Sequence, residues 1–189
     1  MPSGLLALHS AGVTPNAIHE ILLTEQQIQT RLDSLGAEIQ NDYGGRELTV
    51  VAILTGTVMF AADLLRRIPG PLRLDYIGLS SYHGTTKTTG DLVLTKSLKL
   101  DVKDRHVLLV DDILDTGHTL VKARQMMLDL GPLSLKSCVF LEKEVPHVND
   151  IRADYVGFRI PNKFIVGYGL DYQERYRNLP FVATLQNVV

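Results

Sequence analysis

The feature that most constrains this chain is the stretch at residues 110–119, which carries three carboxylates, a glycine and two threonines. Before it, residues 106–110 form a largely apolar run typical of a buried strand. After it, residues 119–130 have apolar side chains at helical spacing. A second apolar run at residues 135–141 completes a strand–helix–strand unit. Strands joined in this way lie parallel, so the unit predicts a parallel sheet covered by helices.

The rest of the chain continues the alternation of helices and strands. Thr24 and Gln27 form a capping-box pattern, which predicts a helix that ends near residues 44–45. Three further runs predict strands, at residues 48–54, 72–82 and 91–98. A second helix is predicted at residues 58–68, before the strand–helix–strand unit. The inward face of this second helix is expected to consist of Val58, Ala61, Leu65 and Ile68. That of the third helix, at residues 119–130, is expected to consist of Leu120, Ala123, Met127 and Leu130.

This alternation predicts one α/β domain, and 189 residues are enough to bury a core. We expect the core of the domain to span about residues 36–160. The ends of the chain fit the alternation less well. Residues 1–35 and 161–189 are therefore expected to pack together as a small hood over the core.

Composition excludes several classes of protein. The formal net charge is −2, which gives no electrostatic sign of a nucleic-acid or anionic-membrane partner. No stretch reaches the roughly 18 apolar residues of a membrane helix. Cys138 is the single cysteine, so the chain has no disulfide framework and a cytoplasmic location is expected. Its apolar neighbours predict a buried thiol and not a nucleophile.

Residues 110–119 follow the carboxyl end of a predicted parallel strand, which is where open α/β sheets bind ligands. Gly117 would let the backbone approach an anion, and Thr116 and Thr119 offer hydroxyl donors at a helix N-terminus. A simpler interpretation is a turn in which Asp115 or Thr116 caps the helix, but capping does not need three carboxylates. The stretch lacks the Gly-Lys-Ser/Thr ending of a Walker loop, and the chain has no G-x-G-x-x-G pattern.

Residues 110–119 closely resemble the phosphoribosyl-pyrophosphate signature of type I phosphoribosyltransferases. Asp115 matches the acidic residue that the hypoxanthine-guanine members of the family carry inside that signature. Residues 166–180 resemble the C-terminal motif of these members, and the likeness extends over about residues 20–181. The resemblance implies a Rossmann-like central parallel sheet flanked by helices, a flexible β-hairpin lid and a hood formed by the chain ends.

The resemblance also implies roles for the residues of the signature. Asp111 and Asp112 correspond to the carboxylates that hold the two ribose hydroxyls, although many relatives have glutamate where this chain has Asp111. Asp115 corresponds to the catalytic residue that exchanges a proton with an imidazole-ring nitrogen of the purine. The cradle for the 5-phosphate is implied to consist of Thr116, Gly117, His118 and Thr119.

Residues further along the chain are implied to complete the site. Lys143 aligns with the lysine that donates to the carbonyl oxygen at position six of the purine. Phe164 resembles the aromatic residue that stacks on the base, and Ile165 would contribute backbone groups to it. Asp171 matches the residue that coordinates Mg²⁺ next to the purine, and Arg177 matches the arginine that binds pyrophosphate.

Two loops of the family are also represented. Thr55 and Gly56 resemble part of the pyrophosphate loop, which often contains a cis peptide bond. Many relatives have Lys or Arg in place of Thr55, and a plain strand-to-helix turn would have the same sequence. Ser81 and Tyr82 match the base of the lid that closes over the reaction centre. Residues 83–90 lack large apolar side chains, which predicts mobility without substrate but fits a solvated hairpin turn equally well.

The implied activity is Mg²⁺-dependent transfer of phosphoribosyl from phosphoribosyl pyrophosphate to hypoxanthine or guanine, which gives IMP or GMP and pyrophosphate in purine salvage. The implied partners are these small molecules and identical subunits, in a homodimer or homotetramer, with no nucleic acid and no membrane. One alternative is a regulatory RNA-binding protein of the same fold, but the scattered basic residues indicate no basic face. Another is an adenine or xanthine transferase; Lys143 and Asp115 favour a 6-oxopurine over adenine and leave xanthine open.

Overall fold

The computed structural model describes residues 18–81 and 92–186. In chain order, its strands and helices are β1 (Ile18–Leu23), α1 (Glu25–Tyr43), β2 (Leu48–Leu54), α2 (Val58–Leu65), β3 (Leu72–Ser81), β4 (Leu92–Lys96), β5 (His106–Leu114), α3 (His118–Asp129), β6 (Ser134–Lys143), β7 (Tyr155–Ile160), β8 (Ile165–Val166) and β9 (Val182–Leu185). A single 3-10 turn, Val148–Asp150, lies between β6 and β7.

A six-stranded sheet forms the centre of the protein, in the order β4-β3-β2-β5-β6-β7. Five neighbouring strands pair in parallel, namely β3, β2, β5, β6 and β7. The sixth strand, β4, pairs with β3 in the antiparallel direction. The side chains of β5 alternate between two cores. Leu108 and Val110 pack with α1 and α2, whereas Val107 and Leu109 pack with α3. Helices therefore cover both faces, and the predicted α/β class is confirmed.

Helix α1 begins and ends as the sequence predicts. The Thr24 hydroxyl accepts a hydrogen bond from the Gln27 backbone N–H, and the Gln27 side chain accepts one from the Thr24 N–H. Gly44 ends the helix in a left-handed conformation, with its N–H donating to the Gln40 carbonyl. Ile28, Leu32, Leu35 and Ile39 are completely buried against the central sheet.

Two helical faces differ from the prediction. Val58 is 41% exposed, because Phe60, Ala61 and Leu64 form the buried stripe of α2 and turn Val58 outward. Leu130 is 47% exposed, because it lies beyond the last residue of α3, where the chain turns into Gly131. For α2 a neighbouring residue, Leu64, fits the helical spacing as well as the predicted ones, whereas for α3 the helix ends one residue earlier than predicted.

A second sheet joins the two ends of the described chain. Strand β9 lies between β1 and β8, and both pairs are antiparallel. This sheet contains only part of the residues expected in the hood, because Ile28, Leu32 and Leu35 of α1, within the predicted residues 1–35, pack against the central sheet instead. Strand β8 and the loop after it connect this second sheet to the core, since Ile165 and Tyr168 belong to the same buried cluster as residues of β5 and β6.

Within residues 18–81 and 92–186, none of the helices has both the length and the apolar character needed to cross a membrane. Cys138 is completely buried in β6, and this burial raises the pKa of its thiol. The expectation of an unreactive, buried cysteine agrees with this position.

Candidate active site

Strand β5 extends further than the sequence predicted. The sequence predicts a strand at residues 106–110, but β5 continues to Leu114 because Ile113 and Leu114 pair in register with Leu141 and Glu142 of β6. Asp111 and Asp112 are therefore held on a strand and not on a flexible turn. Backbone pairing on a central strand restricts their position more tightly than a loop would.

Asp111 is the most buried carboxylate at this edge of the sheet, with 4% of its surface exposed. Its Oδ1 accepts a hydrogen bond from the Asp112 N–H at 3.0 Å and one from the hydroxyl of Thr57, also buried, at 3.4 Å. Burial, followed by the neighbouring charge of Asp112, raises the pKa of Asp111 well above its ordinary value. Burial also raises the pKa of Asp112. The pair therefore binds protons more readily than exposed carboxyls do.

This arrangement predicts that Asp111→Asn stabilises the fold. The raised pKa means that folding favours the protonated carboxyl, so Asp111 lowers stability as the pH rises from the ordinary carboxyl pKa through the folded-state pKa. Removing the charge should therefore raise the free energy of unfolding at pH 7.5. Urea unfolding at pH 7.5 and at pH 4.5 measures this effect. The gain should shrink at the lower pH, and a variant less stable than the wild type at pH 7.5 would contradict the assignment.

The turn after β5 leads directly into α3. Thr116 and His118 are exposed, and Gly117 adopts a left-handed conformation with φ of 93°. No side chain caps the start of α3, although Asp115 and Thr116 were considered as caps. The first turn of the helix thus lacks a side-chain acceptor, as an anion-binding N-terminus requires. Thr119, in that turn, is partly buried.

Lys143 and Asp115 meet at the ends of neighbouring strands. The Lys143 Nζ lies 2.8 Å from Oδ2 of Asp115, and the two residues are 28 positions apart in sequence. The side chain of Lys143 is only 12% exposed, whereas that of Asp115 is 46% exposed. The pair therefore presents a cationic donor and an anionic acceptor side by side, with the carboxylate facing outward.

The loop after β2 is in close contact with both β5 and the C-terminal part of the chain. The Leu54–Thr55 peptide bond is cis, and Thr55 is exposed. A Cβ atom on Gly56 would lie 1.7 Å from Oδ2 of Asp112, and one on Gly169 would lie 2.0 Å from the Gly56 carbonyl oxygen. Gly169 therefore requires glycine because the clash is with backbone, and a methyl group on Gly56 would displace the Asp112 carboxylate.

Asp171 and Arg177 form an ion pair within the C-terminal loop. An Nη2 atom of Arg177 lies 2.8 Å from Oδ1 of Asp171, and Nη1 donates to the Gly169 carbonyl at 2.9 Å. The other carboxylate oxygen of Asp171 accepts the Glu174 N–H at 2.9 Å. The guanidinium also lowers the pKa of Asp112, against the larger effect of burial. Positive charge thus faces the β5 carboxylates.

The Asp171 carboxylate suits a single Mg²⁺ ion whose other ligands come from a bound substrate and water. The described residues contain no cluster of three or more His, Cys, Asp or Glu side chains arranged to enclose a metal. Asp171 offers a partly exposed carboxylate whose oxygens are the hard ligands that Mg²⁺ prefers. One protein carboxylate, with the remaining ligands from substrate oxygens and water, is an ordinary way of holding this ion.

Phe164 and Ile165 lie at the start of β8. The Phe164 ring is 38% exposed and meets the Tyr172 ring edge-on, with centroids 5.6 Å apart. Ile165 is buried, and its backbone pairs with Thr184 of β9. Ser81 ends β3, while Tyr82 and the tract expected to form the lid lie outside the described residues.

A cavity of about 430 Å³ lies next to this group but not within it. It is formed by the end of β6, the residues that follow it and the side chain of Arg159. Of the predicted site residues, only Lys143 lines the cavity. The site is therefore defined by the contacts among the predicted residues and not by this cavity.

Sequence reasoning missed three residues that hold the site together. Thr57 bonds Asp111, and the hydroxyl of Tyr168 bonds Asp63 of α2. A threonine directly before a helix is usually an N-cap, which concealed the inward role of Thr57. The partners of Tyr168 lie on distant segments, and no local pattern indicates them.

Comparison with known proteins agrees with this geometry. The phosphoribosyl transferase domain family matches residues 19–173. A hypoxanthine-guanine phosphoribosyltransferase of Staphylococcus aureus is 43% identical over 171 residues, which cover 90% of this chain and 96% of that protein.

Two solved structures are also similar. A hypoxanthine phosphoribosyltransferase from Staphylococcus aureus superposes with a TM-score of 0.86 at 41% identity, over 93% of this chain and 97% of that one. A hypoxanthine phosphoribosyltransferase from Trypanosoma cruzi has a TM-score of 0.86 at 35% identity, over 92% and 94% of the two chains.

Proposed function

Because the chain belongs to the phosphoribosyltransferase family, we propose that it transfers the phosphoribosyl group of phosphoribosyl pyrophosphate to hypoxanthine or guanine. The products are IMP or GMP and pyrophosphate, and the reaction serves purine salvage. In this transfer the bond from the ribose C1 to a pyrophosphate oxygen breaks, and a bond from C1 to a purine ring nitrogen forms. The other imidazole nitrogen of the base loses its proton.

The pairing of Lys143 with Asp115 at 2.8 Å carries this proposal. The carbonyl oxygen and the protonated imidazole nitrogen of a 6-oxopurine are adjacent on one edge of the base. A lysine donor and a carboxylate acceptor at this spacing can engage both groups at once. Adenine has an amino group in place of the carbonyl, so it would present a donor to the lysine donor. The base enters by replacing the ion pair, and Asp115 then accepts the purine proton.

The ribose and its phosphate are held by β5 and α3. Asp112, with Asp111 behind it, accepts hydrogen bonds from the ribose hydroxyls. The 5-phosphate lies in the turn of Thr116, Gly117, His118 and Thr119, where the uncapped N-terminus of α3 supplies backbone donors and a partial positive charge.

The pyrophosphate is held on the opposite side, by Arg177 and the loop of Thr55 and Gly56. Arg177 offers a planar fork of donors to phosphate oxygens. When the substrate binds, the Arg177 guanidinium gives up its contact with the Asp171 carboxylate and contacts the phosphate oxygens instead. A Mg²⁺ ion bound at Asp171 would supply positive charge for the departing pyrophosphate. Thr55 provides a hydroxyl in place of the basic side chain of many relatives, so Arg177 carries more of the charge neutralisation here.

Lys143→Ala should chiefly weaken binding of the base. Loss of a largely buried, charged donor costs on the order of 2 kcal/mol, so KM for hypoxanthine should rise roughly thirtyfold. KM for phosphoribosyl pyrophosphate should change little, because its contacts lie elsewhere. Steady-state kinetics with each substrate varied in turn measures both constants.

Lys163→Ala is the matched control for Lys143→Ala. Lys163 also contacts a carboxylate at 2.8 Å, that of Glu20, but both of these side chains are about half exposed, and Lys163 points to Glu20 and not to Asp115. This variant should leave KM for hypoxanthine unchanged. If Lys143→Ala behaves like Lys163→Ala, Lys143 does not bind the base.

Turnover with four bases tests the proposed substrate class. Hypoxanthine, guanine, xanthine and adenine are each supplied with phosphoribosyl pyrophosphate and Mg²⁺, and nucleotide formation is followed. Hypoxanthine or guanine should give the highest kcat/KM, and adenine the lowest. Xanthine as the best substrate would change the assignment within the family, and efficient use of adenine would reject it.

We also infer that the enzyme is a homodimer or homotetramer in the cytoplasm, with a single domain of core and hood. The oligomeric state and activity of the Trypanosoma cruzi neighbour have been studied together. Val58 and Met59, each 41% exposed directly after the Thr55 loop, offer an apolar surface for a second subunit. Sedimentation equilibrium at several protein concentrations measures the state, and a monomer throughout would exclude it.

A further inference from the structure

Tyr168 occupies a central position for which the proposed reaction gives no role. Its side chain is 5% exposed, and its hydroxyl donates to Oδ2 of Asp63 at 2.5 Å. Its ring packs on Phe140, with centroids 4.9 Å apart. A buried tyrosine that donates to a carboxylate links the elements from which the two residues come.

The two partners of Tyr168 belong to different parts of the candidate site. Asp63 lies in α2, which begins directly after the loop of Thr55 and Gly56. Phe140 lies in β6, three residues before Lys143. The Tyr168 side chain therefore joins the C-terminal loop to the element that follows the pyrophosphate loop.

The backbone around Tyr168 extends this link to Asp171 and Arg177. The next residue, Gly169, donates its N–H to the Arg177 carbonyl at 2.9 Å and accepts from the Arg177 guanidinium at 2.9 Å. Gly169 is also in close contact with the Gly56 carbonyl. A displacement of Tyr168 would thus move the residues proposed to bind pyrophosphate and metal relative to Gly56.

The conformation of Tyr168 needs support from its contacts. Its φ is 51°, in the left-handed region that a bulky side chain seldom adopts. Such a conformation persists where surrounding contacts fix it. Burial, and then the bond to Asp63, raise the pKa of the Tyr168 hydroxyl, so it remains a donor throughout the physiological pH range.

We propose that the hydrogen bond from Tyr168 to Asp63 positions the segment from Asp171 to Arg177 against Gly56 and thereby sets the affinity for the pyrophosphate part of the substrate. Tyr168 is a positioning residue, since it acts through Gly169 and Arg177. The effect on affinity rests on the proposed function, whereas the effect on the order of the loop does not. Base binding at Lys143 and Asp115 depends on different contacts and stays nearly unchanged when only the hydroxyl is lost.

Tyr168→Phe tests the proposal, because it removes the hydroxyl and keeps the ring on Phe140. KM for phosphoribosyl pyrophosphate and the inhibition constant of pyrophosphate should each rise roughly tenfold, the equivalent of one hydrogen bond to a charged group. KM for hypoxanthine should change less than about threefold. A purely structural role would alter both substrates alike or only reduce the amount of active enzyme.

Tyr155→Phe is the matched control. The Tyr155 hydroxyl also donates to an aspartate of a helix, Asp42 of α1, at 2.6 Å. Tyr155 is the first residue of β7 and pairs with Cys138 of β6, whereas Lys143 of the candidate site pairs with Ile160 at the other end of β7. This variant should lose comparable stability and keep the wild-type constants for both substrates.

The partner side of the bond provides a second pair of variants. Asp63→Asn keeps an acceptor oxygen for the Tyr168 hydroxyl and should retain most of the affinity for phosphoribosyl pyrophosphate. Asp63→Leu removes the acceptor and should behave like Tyr168→Phe. These variants test the bond even if Tyr168→Phe folds poorly. Equal constants for Asp63→Asn and Asp63→Leu would overturn the proposal.

Hydrogen exchange gives a measurement that does not depend on the reaction. The amides of Tyr168, Gly169 and Leu179 are bonded within the loop and should exchange faster in Tyr168→Phe than in Tyr155→Phe. Unchanged exchange would overturn the positioning role whatever the enzyme catalyses. Faster exchange in a protein whose wild type transfers no phosphoribosyl group would reject the proposed function and leave the positioning role intact.

Discussion

Asp115→Asn should reduce the rate of nucleotide formation roughly a hundredfold to ten-thousandfold, the range typical of a general acid–base residue. The asparagine keeps the size of the side chain and an oxygen that can accept from Lys143, but it cannot take up the purine proton. Binding of phosphoribosyl pyrophosphate should change little, because the ribose, phosphate and pyrophosphate contacts involve other residues. The effect should therefore appear in the chemical step and not in affinity.

Asp112→Asn is the informative comparison for Asp115→Asn. It removes a charge from the carboxylate next to Gly56 and should mainly weaken phosphoribosyl pyrophosphate binding. Single-turnover rates and the Kd of phosphoribosyl pyrophosphate, measured on both variants, separate the two roles. A near-normal single-turnover rate for Asp115→Asn would mean that water or the base handles the proton, and Asp115 would then have only a positional role.

Gly169→Ala should be the most damaging exchange of a residue that makes no side-chain contact with substrate. The residue has a φ of 101°, and its Cβ would lie 2.0 Å from the Gly56 carbonyl oxygen. Left-handed strain costs about 1–2 kcal/mol and the forced displacement about 1–3 kcal/mol. The displacement moves the Asp171–Arg177 segment, so kcat/KM for phosphoribosyl pyrophosphate should fall roughly a hundredfold or more.

Gly45→Ala separates strain from displacement. Gly45 also has a positive φ, of 79°, but a Cβ there would meet no atom within 4 Å. It should lose only about 1 kcal/mol of stability and no activity. Urea unfolding and steady-state kinetics of the two variants make the comparison. If Gly169→Ala kept wild-type kinetics, the contact between the C-terminal loop and Gly56 would be unimportant for the substrate.

Much of the fold could be predicted because its signals are local. The capping box at Thr24 and the strand–helix–strand unit around residues 110–119 are patterns within one segment, and both helices begin within a residue of their predicted starts. The end of β5 could not be predicted, because it depends on backbone pairing of Ile113 and Leu114 with β6. Polar residues at 111 and 112 resemble a turn until that pairing is known.

In the candidate site, too, some residues could be predicted from local sequence patterns and others could not. The positions of Asp111, Asp112 and Asp115 follow from the rule that ligands bind at the carboxyl ends of parallel strands. Lys143 meets Asp115 because β5 and β6 are neighbours, and that order is a property of the whole sheet. The roles of Phe164, Asp171 and Arg177 came from resemblance to a family. The bond from Tyr168 to Asp63 spans 105 residues, and sequence spacing carries no sign of it.

The stoichiometry of a single reaction mixture tests the central claim most directly. The protein is incubated with hypoxanthine, phosphoribosyl pyrophosphate and Mg²⁺, and the nucleotide, the pyrophosphate and the remaining substrates are quantified over time. The account predicts equal amounts of nucleoside monophosphate and pyrophosphate, formed as the two substrates disappear together, with Asp115→Asn lowering both products in parallel. Pyrophosphate released without nucleotide, or no consumption of phosphoribosyl pyrophosphate by the wild type, would contradict it.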